Sequence, residues 1–411
     1  MRANGRTPVS RVGSARPAVS AWRFVTVFGV VSLLADFVYE GARSITGPLL
    51  ASLGATGLVV GVVTGVGEAA ALGLRLVSGP LTDRTQRFWA WTIAGYALTV
   101  VTVPVLGIAG TLWVAAALVI AERVGKAVRS PAKDTLLSHA AGATGRGRGF
   151  AVHEALDQVG AVLGPLTVAA VLAVTGGDYA PALGVLAAPG AATLALLVWL
   201  RLRVPDPARY EPAGADPAEP AAPRDGLPAV FWGYCGFTAV TMIGFATFGL
   251  LSFHMVTRGV LPAAAVPLIY AAAMGVDALT ALASGWGYDR FGAKTLAALP
   301  VVSGLVPVFA FTGAVWSVLV GALLWGAAVG ITESTLRAVV ADLVPAPRRA
   351  TAYGVFAAAL GAATAVGGAL TGWLYDVSPT AVVAAVAAIQ GLALAGGVVV
   401  LRIRGATPGL P

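Results

Sequence analysis

Long apolar runs, separated by short polar or glycine-containing breaks, dominate this chain of 411 residues. Runs of about 20 apolar residues can cross the hydrocarbon core of a bilayer as helices, whereas a barrel would need short alternating segments, which the chain lacks. The pattern predicts an all-α polytopic membrane protein with 12 transmembrane helices. The predicted spans are roughly 22–50, 56–80, 89–109, 111–138, 150–174, 181–201, 229–252, 263–284, 294–312, 314–341, 351–373 and 380–402.

A proline-rich segment divides these spans into two sets of six. Between residues 203 and 225 the chain has six prolines among several acidic residues, which is typical of a solvated linker. The predicted organisation is a cytoplasmic tail (1–21), a first six-helix bundle (22–201), a cytoplasmic linker (202–228), a second six-helix bundle (229–402) and a second cytoplasmic tail (403–411).

Composition and charge agree with a membrane location. The chain is 57% hydrophobic and 11% charged, with a mean hydropathy of +0.83, whereas soluble proteins have about 25% charged residues. The net charge of +8 does not indicate a nucleic-acid partner, because the basic residues lie in short loops between spans. With both termini in the cytoplasm, the outside loops hold only Arg258, which is the positive-inside distribution. The excess of arginine over lysine suggests a bacterial source, so we expect a multi-pass protein of the bacterial cytoplasmic membrane.

One short motif occurs twice, 206 residues apart, as Gly79–Arg84 and Gly285–Arg290. Each copy follows an apolar run, ends in Asp-Arg and is expected to form a loop between two spans. In the next positions Gln86 replaces a second glycine, which the other copy retains as Gly292. A further pair, Arg129–Asp134 and Arg337–Asp342, lies 208 residues apart, so the two halves share a register.

These motifs resemble those of the major facilitator superfamily. The resemblance covers nearly the whole chain and implies two six-helix bundles around a central cavity, in which a solute is exposed alternately to either side by rocking of the bundles. It also implies that the first, fourth, seventh and tenth spans line the cavity. The motif would then act as a gating latch, although a simple solvated turn remains an alternative. The gating residues are Gly79, Asp83, Arg84, Gly285, Asp289 and Arg290.

Charged residues inside spans are costly, at about 2.5 to 3.5 kcal/mol each on insertion scales, and therefore mark candidate functional positions. Asp36, Glu40 and Arg43 lie on one face of the first span, and Glu122, Lys126, Arg129 and Lys133 form a stripe on the fourth. The stripe either lines the cavity or forms a fixed ion-pair network. Blocks 36–43 and 122–134 resemble those of a bacterial subgroup assigned to export. The substrate-cavity candidates are Arg43, Glu122, Arg123, Lys126, Arg129, Glu333 and Arg337.

Proton coupling needs a group that exchanges protons inside a low-dielectric site, and buried carboxylates are the usual device. His153 and Asp157 are spaced i, i+4 and are able to form a proton relay, but a hydrogen-bonded tether is the favoured interpretation of this pair. The proton-coupling candidates are Asp36, Glu40, Glu68, His153 and Asp157.

The fifth span contains Gly160, Gly164 and Pro165, which resemble part of a helix-packing motif of drug-proton antiporters. This partial match modestly favours antiport over symport. The second half has fewer buried charges, so we expect it to provide an amphipathic or apolar substrate surface. The expected aromatic residues of that surface are Trp232, Tyr234, Phe245, Phe248 and Trp325.

No phosphate-binding loop, nucleophile motif or metal-ligand spacing occurs in the sequence, which predicts neither an enzyme nor a bound cofactor or metal. The leading hypothesis is a secondary active transporter, a functional monomer that exports a small organic solute in exchange for protons. Uptake of a small anion or metabolite is one alternative, and a non-transporting membrane sensor on the same fold is another.

Overall fold

The computed structural model describes residues 19–144, 146–210, 226–345 and 348–405, and in these residues every regular element is an α-helix or a short 3-10 helix. Twelve helical spans follow one another along the chain. The first six are α1 (Ala21–Ser52), α2a and α2b (Gly57–Gly73, Arg75–Thr85), α3 (Phe88–Gly107), α4 (Leu112–Thr144), α5 (Arg146–Val174), and α6a and α6b (Tyr179–Gly184, Ala187–Arg203). The second six are α7a and α7b (Ala229–Ile243, Phe248–Thr257), α8 (Val266–Phe291), α9 (Ala298–Ala310), α10 (Val315–Leu343), α11 (Arg349–Val377) and α12 (Pro379–Gly405).

The predicted count of twelve spans is confirmed. Ten helical segments of the described chain are long and apolar enough to cross a membrane. One of them, Ala263–Ala310, contains both α8 and α9, and α4 is not among the ten because charged residues interrupt its apolar run. The predicted spans agree with the observed helices to within a few residues at most ends, and several helices continue beyond the apolar run.

The repeated motif lies in helices, so the prediction of two loops was wrong. Asp83 and Asp289 each stand two residues before the last residue of their helix, Thr85 in α2b and Phe291 in α8. The C-cap residue that follows each helix has a positive φ, 53° at Gln86 and 62° at Gly292. The second glycine position of the motif is therefore a helix C-cap, a conformation that favours glycine.

Alternate helix ends define two faces of the bundle. The face that holds the α2–α3, α4–α5, α8–α9 and α10–α11 connections carries most of the loop arginines, and we call it the basic face. The other, which holds the α1–α2, α3–α4, α5–α6, α7–α8, α9–α10 and α11–α12 connections, is called the opposite face. The two six-helix sets share this arrangement, as expected of pseudo-symmetric halves.

Glycines allow the two bundles to pack closely near the opposite face. A Cβ placed at Gly61 of α2a would lie 2.0 Å from the carbonyl oxygen of Gly368 in α11, and one at Gly372 would lie 2.4 Å from the carbonyl oxygen of Gly57. On the other side of the interface, a Cβ at Gly47 of α1 would lie 2.1 Å from the carbonyl oxygen of Gly249 in α7b. Only hydrogen fits in these contacts, so the bundles meet backbone against backbone.

Candidate functional site

A cavity of about 820 Å³ lies between the two bundles and extends from the middle of the molecule towards the basic face. Its wall includes residues of α1, α2, α4, α7, α10 and α11. The structure thus places all four expected spans on the cavity and adds α2 and α11. Of the substrate-cavity candidates, the wall includes Arg43, Arg123, Lys126 and Glu333.

An ion-pair network occupies the first-bundle wall. The Glu68 Oε1 atom lies 3.0 Å from Nη2 of Arg43 and 3.1 Å from Nη1 of Arg123. Arg43 also lies 3.6 Å from Glu40, and Arg123 lies 3.4 Å from Glu122. Each arginine therefore has two carboxylate neighbours, and Glu68 joins α2 to both α1 and α4.

The aromatic ring of Tyr39 is at the centre of this wall. The Lys126 Nζ atom lies 4.2 Å from the ring centroid, and the Arg123 guanidinium carbon lies 4.5 Å from it. Both distances are within the range of cation–π interactions. Within the described residues no carboxylate lies at ion-pair distance from Lys126, although Glu40, Asp36 and Glu68 interact with its charge from farther away. Lys126 lines the cavity beside the Tyr39 ring.

The prediction that Glu122 and Arg129 line the cavity was wrong. Arg129 donates a hydrogen bond to the Thr99 hydroxyl at 3.1 Å and lies 4.6 Å from the Tyr96 ring centroid, so it faces α3. Glu122 is buried and faces a small recess between α1, α3 and α4. Of the four positions of the α4 stripe, Lys126 lines the cavity, whereas Glu122, Arg129 and Lys133 face other helices. The side chain of Arg337 lies outside the part of the chain that the structure describes.

A second polar cluster lies between α1, α4 and α5. The Nε2 atom of His153 is 3.2 Å from both Nζ of Lys133 and Oγ of Ser32, and 3.9 Å from Oδ2 of Asp157. Because a charged lysine only donates, Nε2 accepts from Lys133 and has no proton to pass to Asp157. Asp36 interacts electrostatically with Asp157 and with the nearby cations. This geometry corresponds to a tether between helices rather than to an assembled relay.

Glu40 connects the two bundles. Its buried carboxylate accepts a hydrogen bond from the hydroxyl of Tyr270, a fully buried residue of α8. The same carboxylate lies beside Arg43 of its own helix. Among the proton-coupling candidates in the described residues, Glu40 is the one whose side chain forms a hydrogen bond with the second bundle. Tyr270 was missed because nothing in the sequence marks a tyrosine in an apolar run.

The second-bundle wall is mostly apolar. Phe245, Phe248 and Trp325 line the cavity, and the Phe248 and Trp325 ring centroids are 5.1 Å apart. Two of the expected aromatic residues lie elsewhere. Trp232 is more than half exposed on the outside of the bundle, and Tyr234 is buried against Phe356 and donates a hydrogen bond to the Leu336 carbonyl at 3.0 Å.

Asp376 joins the two bundles at the opposite face. Its carboxylate accepts hydrogen bonds from the backbone N–H groups of Gly57 at 2.7 Å and Leu58 at 2.8 Å, which begin α2a. A carboxylate at a helix N-terminus satisfies unpaired donors and interacts favourably with the helix dipole. Nearby, Tyr375 donates to Nδ1 of His254, whose Nε2 donates to the Thr312 carbonyl. Sequence reasoning missed Asp376 because its partners are backbone groups more than 300 residues away.

The helix-packing residues lie where α5 meets α1. A Cβ at Gly160 would lie 2.2 Å from the Leu33 carbonyl oxygen, and one at Gly164 would lie 2.1 Å from that of Phe37. Pro165 lies inside α5. These residues allow close contact between two helices of the first bundle, as small residues in membrane helices do.

The gating residues lie at the basic face. Asp83, Arg84, Asp289 and Arg290 are exposed, and no neighbour lies within 4 Å of a Cβ placed at Gly79. Gly285 is close only to Ser334. The structure thus places the gating candidates on exposed helix ends at the face towards which the cavity extends. Among the described residues no group of three metal-ligating side chains occurs.

Comparison with known proteins identifies the family to which this sequence is similar. A family model described as Major Facilitator Superfamily matches residues 28–311 and 262–410. An uncharacterized protein of Mycobacterium tuberculosis is 75% identical over 395 residues, which is 96% of this chain and 97% of that protein. An uncharacterized MFS-type transporter of Methanocaldococcus jannaschii is 29% identical over 141 residues, 34% of this chain and 35% of that protein.

Solved transporter structures have the same fold. A mutant of the nucleoside transporter NupG matches with a TM-score of 0.73 at 12% identity, covering 92% of this chain and 99% of its own. A POT family transporter in complex with a thioalcohol conjugated peptide matches with a TM-score of 0.74 at 11% identity, covering 94% and 96%. A bacterial homologue of the human lysosomal transporter Spinster, inward-facing and unoccupied, matches with a TM-score of 0.65 at 14% identity, covering 96% of each chain.

Proposed function

Because this chain belongs to the Major Facilitator Superfamily and is therefore a membrane transporter, we propose that it exports a small organic solute by alternating access in exchange for protons. The observation that carries the proposal is the cavity of about 820 Å³, which reaches towards one face while glycine contacts seal the other. A cavity of this size can enclose a drug-sized molecule. Rocking of the bundles 22–201 and 229–402, which the linker 202–228 connects, around this central cavity would expose it to the other side.

The orientation rests on the loop charges. The basic face carries most of the loop arginines, and short cytoplasmic loops hold the excess of basic residues in membrane proteins. We therefore assign the basic face and both termini to the cytoplasm. In this orientation the cavity is open to the cytoplasm, where an exported solute would enter it.

Glu40 is the proton site that the geometry supports best. A coupling carboxylate must change the contact between the bundles when it gains a proton, and Glu40 is held by Tyr270 of the second bundle and by Arg43 of the first. Protonation removes the attraction of Arg43 and weakens the acceptor for Tyr270. Ionised Glu40 thus favours the cytoplasm-open state, and protonated Glu40 favours its release, which is the sign that antiport requires.

The test uses proteoliposomes loaded in turn with tetraphenylphosphonium, glucose or 2-naphthoate. With acid outside, antiport predicts faster efflux of the transported probe, whereas symport predicts faster efflux only with acid inside. Glu40→Gln should lower the stimulation by the gradient at least tenfold and preserve solute exchange. Glu154→Gln, at an exposed carboxylate of α5, is the control. Efflux that ignores the gradient would remove proton coupling, and an unchanged response of Glu40→Gln would move the proton site elsewhere.

The alternatives are separate outcomes of the same assay. Uptake of an anion or metabolite would appear as symport of 2-naphthoate, and the cations on the first-bundle wall are the feature in its favour. A sensor on this fold would bind a solute without moving it.

A further inference from the structure

Lys126 is a cation of the cavity wall that, within the described residues, lacks an ion pair at contact distance. Its Nζ atom lies 4.2 Å from the Tyr39 ring centroid, and within the described residues no carboxylate forms an ion pair with it. The neighbouring Arg43 and Arg123 differ, because Glu40, Glu68 and Glu122 already pair with them. A buried ammonium group is stable only when it is paired or hydrated, and a cation–π contact replaces part of the hydration at most.

The wall that faces Lys126 has a different chemistry. Phe245, Phe248 and Trp325 present aromatic rings from the second bundle, and Met242 and Val329 extend the apolar surface. Of the carboxylates that line the cavity, Glu68 is shared by two arginines and Glu333 has partners of its own. Asp134 lies about two helical turns beyond Lys126 towards the basic face, where it interacts electrostatically with Lys133. Arg43 and Arg123 are paired with carboxylates and Arg75 donates to the Ala71 carbonyl, so Lys126 is the cavity-lining cation of the described residues that a solute can pair with. It shares the cavity with the aromatic side chains of the second bundle.

We propose that the solute is an amphipathic organic anion, whose anionic group pairs with Lys126 and whose apolar ring lies against Phe245, Phe248 and Trp325. This inference rests on the proposed transport function and specifies its substrate class. The anion gives the ammonium a partner at contact distance, and the apolar ring of the solute leaves water for an apolar wall. The cavity of about 820 Å³ exceeds the volume of a two-ring aromatic acid, so larger members of the class also fit.

The experiment measures binding to the purified full chain in detergent by isothermal titration calorimetry, with three probes that share one ring system. They are 2-naphthoate, 2-naphthamide and 2-naphthylmethylammonium, which differ in charge and little in shape. We expect 2-naphthoate to bind at least tenfold more tightly than the amide, and the ammonium compound to bind most weakly. A 2-naphthoate affinity no better than that of the amide, or tightest binding of the ammonium compound, would overturn the proposal.

Variants assign the preference to Lys126. Lys126→Gln should weaken 2-naphthoate at least tenfold and leave the amide within twofold, and Lys126→Arg should retain most of the preference. Lys294→Gln, at a cation of the α8–α9 connection, is the matched control. Trp325→Ala should weaken the acid and the amide by the same factor. If Lys126→Gln binds 2-naphthoate in preference to the amide as strongly as wild type does, the proposal is overturned. If Lys126→Gln does not fold, the measurements on Lys126→Arg and on wild type decide the proposal.

Binding and flux separate this inference from the proposed function. If 2-naphthoate binds through Lys126 but no solute crosses proteoliposomes, the site is retained and the proposed export is lost. If a neutral or cationic solute is exported and 2-naphthoate does not bind, the transport proposal is retained and the substrate class is wrong.

Discussion

Replacing Asp376 by asparagine tests whether the contact between α11 and the start of α2a holds the opposite face closed. The carboxylate accepts two hydrogen bonds across the bundle interface, at 2.7 and 2.8 Å. Asparagine keeps one acceptor, turns an amide N–H group towards the second donor and removes the negative charge from the helix N-terminus. The expected effect is a larger population of the state in which this face is open.

The magnitude follows from the capping geometry. Removing a helix N-cap acceptor costs about 1 kcal/mol, and the helix dipole contributes a few tenths more, but the exposure of Asp376 reduces the charge effect. A net cost of about 1 kcal/mol corresponds to a roughly fivefold change in the ratio of the two states. The variant should still fold, because the glycine contacts between α2a and α11 remain.

Distances between spin labels report this ratio. With Cys235 replaced by alanine, labels at Ser52→Cys and Thr257→Cys stand on exposed ends of α1 and α7b at the opposite face, one on each bundle. The control is Asp178→Asn, because Asp178 also caps a helix at this face, through the Ala180 N–H at 2.9 Å, but inside one bundle. Our reasoning fails if Asp376→Asn leaves the ratio of long to short distances within twofold of the parent, or if Asp178→Asn changes it equally.

Two other substitutions test the interface and the ion-pair network. Gly61→Val places side-chain atoms where a Cβ alone would lie 2.0 Å from a carbonyl oxygen of α11. We therefore expect loss of closure of the opposite face in the same distance measurement, and at least tenfold slower flux. The control Gly73→Val should match wild type, because no neighbour lies within 4 Å of a Cβ at Gly73. Glu68→Gln leaves Arg43 and Arg123 without their shared partner, and we expect a loss of about 3 kcal/mol in folding stability, seen as a lower thermal-unfolding midpoint in detergent. An unchanged midpoint would mean that cavity water replaces the carboxylate.

The twelve spans were predictable because apolar length alone defines a membrane helix, and the proline-rich segment divided them into two sets of six. The residues at which the helices end were not predictable in the same way. Gly79 and Asp83 resemble turn residues, yet the helix continues through them to Gln86, since a helix that leaves the membrane keeps its backbone hydrogen bonds. Hydropathy marks where the apolar run stops, which is earlier than where the helix stops.

Charged residues inside spans predicted which helices form the cavity wall, but they did not predict which way each charged side chain faces. Lys126 and Arg129 are three residues apart on one stripe, and only the packing of α4 against both α1 and α3 separates their surroundings. Contacts between distant spans left no mark in the sequence at all. Tyr270 is 230 residues from Glu40, and the partners of Asp376 are backbone groups, which every residue except proline offers.

The contact between Gly61 and Gly368 is made almost entirely of main-chain atoms, and this affects how the transporter cycles. Opening such a joint exposes little hydrocarbon to water and disturbs no interlocked side chains, so the resistance to separation is small and short-ranged. Polar links across the interface, among them Asp376 at the rim, the Thr64–Thr247 hydroxyl pair and Glu40 in the interior, then contribute more to the energy that distinguishes one half of the cycle from the other. A handful of protonatable or hydrogen-bonding atoms can thereby direct the movement of two whole bundles.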